Sequence, residues 1–212
     1  MDRFERELLD QGYNHICGTD EAGRGPLAGP VVAAAVILDP AKPIPGIADS
    51  KTLTAKTRER LAELIRTQAL AYAIAFVDVA EIDAINILEA SRKAMVEAVK
   101  KLSLAPDYIL TDAMRLPASK IPVLAIIKGD ALSVSIAAAS ILAKTARDAH
   151  MRELSKLYPG YGFARHMGYP TREHLQAIDK LGILDIHRRS FKPIKSRLVR
   201  QLGFDFRGDT HE

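Results

Sequence analysis

Pro30-Val31-Val32-Ala33-Ala34-Ala35-Val36-Ile37-Leu38 is an unbroken apolar run, ended by Asp39-Pro40. A run this short, bounded by turn residues, reads as a strand. His15 to Thr19 forms a shorter, half-apolar strand before it, and the glycine-rich stretch between the two is a turn. The chain then alternates between periods. Thr54 or Thr57 can cap a helix whose Leu61, Leu64 and Ile65 recur at helical spacing. Tyr72 to Val79 alternates as a strand, and Ile87 to Leu102 puts Leu88, Ser91, Met95, Val99 and Leu102 on one helical face. Tyr108 to Thr111 and Val123 to Ile127 are two further strands. Ser133 to about Leu157 is helical, and Ala137, Ala138, Ala139 and Ala143 let it approach a sheet closely. This order predicts an α/β core built on a mixed sheet, with further helices after it.

A chain of 212 residues that is 48% hydrophobic can bury a core without disulfides. Cys17 stands alone in an apolar run, so no disulfide framework exists and a reducing compartment, the cytoplasm, is expected. Met1 to Tyr13 alternates charge and hydrophobe, which excludes a signal-peptide core or a membrane span and predicts a short amphipathic helix. The charge is unevenly spread: residues 156–200 hold ten Lys and Arg against three acids, whereas the whole chain carries only +4. We therefore expect a catalytic core over 1–155 and a basic helical extension over 156–212, packed on the core or as one unit with it. A basic segment beside an acidic body suits a polyanionic ligand, although a solvated basic helix has the same composition.

Asp20 and Glu21 follow a predicted strand and precede Gly23-Arg24-Gly25. Neighbouring strand residues point to opposite faces, so both can reach one site only if the strand ends there. Asp112 and Asp130 follow two other predicted strands. Taken singly, an Asp at a strand end is more often a turn or helix cap. Four that converge would repel one another unless a cation compensates, and oxygen ligands without His or Cys select Mg²⁺ or Mn²⁺. Gly23, Gly25 and Gly29 have the wrong spacing for a dinucleotide fingerprint, and no Walker lysine follows.

Asp20-Glu21-Ala22-Gly23-Arg24-Gly25-Pro26-Leu27-Ala28-Gly29-Pro30-Val31-Val32 resembles the signature of bacterial ribonuclease HII, the type 2 ribonuclease H family. Asp49-Ser50-Lys51, Lys128-Gly129-Asp130, the segment Ser135 to Lys144, Tyr161-Gly162-Phe163 and His187-Arg188-Arg189-Ser190-Phe191 match its pattern in the same order. The resemblance implies a ribonuclease H-like mixed sheet flanked by helices, with a small helical C-terminal extension. It implies four metal-site carboxylates, Asp20, Glu21, Asp112 and Asp130, holding Mg²⁺ or Mn²⁺. Gly23-Arg24-Gly25 then matches the loop that contacts the ribonucleotide 2′-OH, and Tyr169 the ring that stacks on the next deoxyribose. A 2′-OH is what distinguishes RNA from DNA at such a site. The implied substrates are RNA-DNA hybrids and DNA duplexes with embedded ribonucleotides, cut 5′ to the ribonucleotide to leave 3′-OH and 5′-phosphate ends. The implied biological role is ribonucleotide removal during replication and repair.

Met167 stands where many family members carry Lys, which removes one phosphate contact. Lys51, Lys144 and Arg165 are candidate phosphate contacts. His166, His174 and His187 are expected in structural or phosphate-contact roles, and Ser133, Ser135 and Ser140 at the start of the alanine-rich helix. No membrane partner is expected, and the chain is taken as a monomer. Gln201-Leu202-Gly203-Phe204-Asp205-Phe206 is faintly like peptides that dock on sliding clamps, although a terminal helix using Leu202 and Phe204 as packing anchors explains it better. The alternatives are a non-catalytic hybrid or duplex binder, and the sister type 3 ribonuclease H, which carries an additional N-terminal binding domain.

Overall fold

The computed structural model describes residues 1–116 and 119–205, with side chains described to residue 199. Its elements in chain order are α1 (Arg3–Asp10), β1 (Ile16–Ala22), β2 (Val31–Ile37), α2 (Ala55–Gln68), β3 (Ala71–Val77), α3 (Val79–Ile85) and α4 (Ile87–Lys100). They continue with β4 (Tyr108–Asp112), β5 (Val123–Ile126), α5 (Gly129–Leu132), α6 (Val134–Leu157), α7 (Phe163–His166), α8 (Arg172–Leu181) and α9 (Lys192–Asp205). The five strands form one sheet in the order β3-β2-β1-β4-β5. β1, β2 and β3 run antiparallel, whereas β4 pairs parallel with both β1 and β5. The expected mixed sheet flanked by helices is therefore observed.

β2 explains the layering. All seven of its residues are buried. Val31, Ala33, Ala35 and Ile37 pack with Ile82 of α3 and Ala90, Ala94, Met95 and Ala98 of α4. Ala34 and Val36 face the other way, against Leu61, Ala62 and Ile65 of α2 and the alanines of α6. A strand covered on both faces has no need of polar alternation, and that is why the run is continuous. On the α6 side the approach is close enough that a Cβ at Gly18 would lie 2.1 Å from the main-chain carbon of Ser135.

The helix ends follow local chemistry. Thr54 Oγ1 accepts from the Thr57 N–H at 3.2 Å, and Ser133 Oγ accepts from the Ile136 N–H at 3.2 Å. Two differences from the sequence reading matter. β1 does not stop at Thr19: its parallel ladder with β4 ends at the Thr19–Thr111 pair, but its antiparallel ladder with β2 continues to Ala22. Its partner keeps β1 extended through the acidic pair. The short α3, capped by Asp78, was not expected from apolar periodicity because it spans only two turns.

α7, α8 and α9 pack through Phe163, Ala177, Ile178 and Ile194 against Leu27, Ala28, Met151 and Leu154. α6 passes through residue 155 without a break. Among the described residues no helix is long and apolar enough to cross a membrane. The clamp-like segment 201–206 has no described side chains, and Phe206 lies outside the described residues.

Candidate active site

β1, β4 and β5 run parallel and side by side, so their C-terminal ends share one edge of the sheet. Ligand sites in such sheets form beyond the carboxyl ends of the strands. Asp20 lies near the end of β1, Asp112 is the last residue of β4, and Asp130 sits in the first turn of α5, directly after β5. One oxygen from each of these three carboxylates lies within 4.8 Å of the others. The convergence expected for Asp20, Asp112 and Asp130 is present.

Glu21 is placed differently. Strand alternation pairs Asp20 with Ala34, on the α6 side, and Glu21 with Ala33, on the α4 side. Glu21 is therefore outside the three-carboxylate cluster, yet it lines the same cleft of about 230 Å³. Its Oε2 is buried without a hydrogen-bond partner, while Oε1 pairs with Arg24 at 3.4 Å.

The Asp20, Glu21 and Asp112 carboxyls are held above their ordinary range. Burial is the first cause at Asp20, reinforced by the charges of Glu21 and Asp112 and opposed by a hydrogen bond from Ser140. Glu21 is raised by burial and by Asp112, against the pull of Arg24. Asp112 is raised by burial and by Asp130, although the Gly129 N–H donates to it at 2.8 Å. Lys51 supplies a positive charge from across the cleft, its Nζ 3.0 Å from Asp130 Oδ2.

An all-oxygen donor set, a buried carboxylate oxygen without a partner and a recruited ammonium group together fit a hard divalent cation. Asp20, Asp112 and Asp130 are the residues placed to hold it, with Glu21 lining the adjoining cleft.

The same cleft is lined by Gly23, Arg24, Gly25 and Tyr169. Tyr169 is 43% exposed, so it is not a core tyrosine. A Cβ at Gly25 would lie 3.3 Å from its ring, and the bare glycine lets loop and ring stand close. Lys144 also lines the cleft, tied to Asp148 at 2.7 Å. Arg165 does not: it pairs with Glu173 on the surface, away from the lining residues. Met167 packs partly buried against the C-terminal cluster, and its carbonyl accepts from Arg147 at 3.0 Å.

Arg147 stands in none of the motifs, and Arg188 stands in the His187 to Phe191 motif without a role of its own, yet both are fully buried. Arg147 donates to the carbonyls of Pro30, Ala28 and Met167. Arg188 donates to those of Gly23, Arg24 and Gly29. The signal for Arg147 was available, because 136, 140, 143, 147, 151 and 154 fall on one face of α6. Ser50 and Ser140, hydrogen-bonded at 2.8 Å, complete the floor.

Beneath Tyr169, His174 and His187 are fully buried, with their Nε2 atoms 3.1 Å apart. Burial, and then the neighbouring imidazole, pushes His187 down to about 4; burial is also the main cause of the same fall at His174. The folded chain thus favours neutral rings, while the unfolded chain titrates near 6.5. The stability this gives is fully present above pH 6.5 and is lost as pH falls toward 4. We expect the pair to cost roughly 3 kcal/mol at pH 4 relative to pH 7, taking about half the ideal linkage because the two rings titrate together. Urea denaturation at both ends of that window checks it: a His174→Gln variant should lose less stability than the native chain.

Comparison with known proteins gives a consistent result. The family model described as Ribonuclease HII matches residues 17–194. The ribonuclease HII of Laribacter hongkongensis (strain HLHK9) is 59% identical over 186 residues, covering 87% of this chain and 94% of that protein. Among solved structures, the ribonuclease H2 from Pyrococcus horikoshii OT3 superposes with a TM-score of 0.76 at 28% identity, over 92% of this chain and all of that one. The ribonuclease HII in a complex with PCNA from Archaeoglobus fulgidus has a TM-score of 0.71 at 26% identity, over 84% of this chain and 96% of that one.

Proposed function

The chain belongs to the ribonuclease HII family, and from that premise we infer that Asp20, Glu21, Asp112 and Asp130 are the catalytic carboxylates of a ribonuclease acting on RNA-DNA hybrids. It is a divalent-metal-dependent endonuclease that hydrolyses the RNA strand and removes embedded ribonucleotides, with Mg²⁺ or Mn²⁺ as cofactor. The observation that carries the site assignment is the meeting of three carboxylates at one sheet edge, beside a small cleft that Gly23-Arg24-Gly25 and Tyr169 also line.

When bound, a divalent cation would polarise the scissile phosphate and lower the pKa of water. The chain's own groups do the rest. Asp20, Asp112 and Asp130 fix where that charge is held, and Lys51 and Lys144 put ammonium groups where a phosphodiester would lie. Gly23-Arg24-Gly25 meets the 2′-OH of the ribonucleotide, and the exposed ring of Tyr169 packs on the following deoxyribose, so a ribose-to-deoxyribose junction is what the wall accepts. Cleavage on the 5′ side of the ribonucleotide, leaving 3′-OH and 5′-phosphate ends, belongs to the same reading. Sliding-clamp docking through residues 201–206 and a cytoplasmic setting are also part of it.

The test is incubation with a DNA duplex containing one ribonucleotide, in Mg²⁺, Mn²⁺ or EDTA. A nick 5′ to the ribonucleotide in either metal and none in EDTA is expected. Binding without a nick in any metal would identify a non-catalytic duplex binder instead.

A further inference from the structure

The sugar-reading wall is made of two loops far apart in sequence; Arg147 and the Leu27 N–H to Gly168 carbonyl bond tie their bases together, and one dipeptide reaches the residues that line the cleft. Arg188 is fully buried, and its hydrogen-bond partners are main-chain carbonyls: Gly23 at 2.6 Å, Arg24 at 3.1 Å and Gly29 at 2.8 Å. Its neighbour His187 points into the C-terminal cluster. There the Leu184 N–H donates to His187 Nδ1 at 2.8 Å, which leaves the ring proton on Nε2. His187 Nε2 faces His174 Nε2 at 3.1 Å, and His174 Nδ1 lies 2.9 Å from the carbonyl of Tyr169.

A carbonyl only accepts, so His174 carries its proton on Nδ1 and receives one from His187 on Nε2. Every ring nitrogen in the relay has one defined role. Buried imidazoles and a buried guanidinium are costly to desolvate, and apolar side chains would fill the same volume more cheaply. What they provide that apolar groups do not is a fixed direction for particular carbonyls.

We propose that His187-Arg188 is the positioning element of the sugar reader: Arg188 pins the Gly23-Arg24 main chain, while His187, acting through His174, fixes the main chain at Tyr169. Two adjacent residues on one short segment thereby orient the main chain of both loop and ring, on bases that Arg147 and the Leu27–Gly168 bond already hold together. None of the three side chains lines the cleft. They act through Gly23, Arg24 and Tyr169, and the inference rests on the reading of those residues given above.

In the unaltered protein at pH 7, long-range ¹H–¹⁵N imidazole spectra should show His174 protonated on Nδ1 and His187 on Nε2. The opposite tautomer at either ring overturns the relay. For function, His174→Asn keeps a donor near the Nδ1 position, whereas His174→Gln reaches His187 but abandons the Tyr169 carbonyl. The expected kcat/KM on a single-ribonucleotide duplex falls about tenfold for His174→Gln and less than about threefold for His174→Asn, with Mn²⁺ binding by calorimetry unchanged in both.

In a Tyr169→Ala background the loss from His174→Gln should vanish, because the group being positioned is gone. Additive losses, equal losses for Asn and Gln, or a parallel fall in Mn²⁺ affinity would each show a merely structural role. If Tyr169→Ala itself cleaves normally, the reading of the wall fails and the inference with it. If Tyr169→Ala is impaired while His174→Gln is not, the inference alone fails. Should His174→Gln not fold, the tautomer spectrum of the unaltered protein decides.

Discussion

Asp20→Asn should abolish cleavage while leaving the fold at least as stable as before. Asp20 is buried, its carboxyl is held up first by that burial and then by Glu21 and Asp112, and one of its oxygens lies within 4.8 Å of oxygens from Asp112 and Asp130. Removing one negative charge from such a cluster relieves repulsion, so the metal-free variant should gain about 1 kcal/mol of stability. The same substitution removes a ligand from an oxygen-only site, and kcat should fall roughly a thousandfold or more. The rise in Tm that Mn²⁺ gives the unaltered chain should shrink accordingly. Thermal melts with and without Mn²⁺, set beside a single-turnover cleavage assay, check both halves. A variant that melts early has lost a structural residue, and one that cuts normally places the chemistry elsewhere.

Gly18→Ala should be the most damaging single methyl group in the central sheet. Its Cβ would stand 2.1 Å from the Ser135 carbonyl carbon and 2.3 Å from the Ile136 nitrogen, both main-chain atoms that no rotamer change can move. Either β1 or α6 must give way, and overpacking of this kind costs about 3 kcal/mol or more. At this chain length that lowers Tm by roughly 10 °C. Because α6 carries Ser140 to Asp20, the displacement also reaches the carboxylates. Gly46→Ala is the matched comparison: Gly46 has a φ of +87° but open space around it, so only backbone strain opposes the methyl. Equal melting temperatures for the two variants would mean that strand and helix are not in such close contact.

Much of this architecture was legible because apolar spacing reports burial directly. The run from Pro30 to Leu38, the Ile87 to Leu102 face and the alanines of α6 each appear where their pattern put them. The family motifs carried the site, and Asp112 and Asp130 converge with Asp20 as expected. The differences arise where partners in space decide. Whether β1 ends before Asp20 depends on β2, which pairs with it up to Ala22, and no local signal at Thr19 records that. Glu21 is consequently turned to the other face by alternation and lines the adjoining cleft. Arg165 reads as a phosphate contact from its segment; the fold pairs it with Glu173, eight residues on, and leaves it outside the lining of the cleft. Arg188 looks like part of a solvated basic stretch, and only the fold turns it inward onto carbonyls.

The bond from Arg188 to the Gly23 carbonyl spans 165 residues. Protein synthesis delivers Arg188 long after Gly23, so over that interval the glycine loop lacks this anchor. The carboxylates are incomplete for a shorter interval, until Asp130 and the strands before it have been made. Long-range closures of this kind are late events in folding. A partly made chain can therefore bring its acidic groups together before Arg188 is there to pin the Gly23-Arg24 main chain. On the proposed reading of that loop, the choice of sugar depends on a residue made well after the carboxylates that would do the cutting.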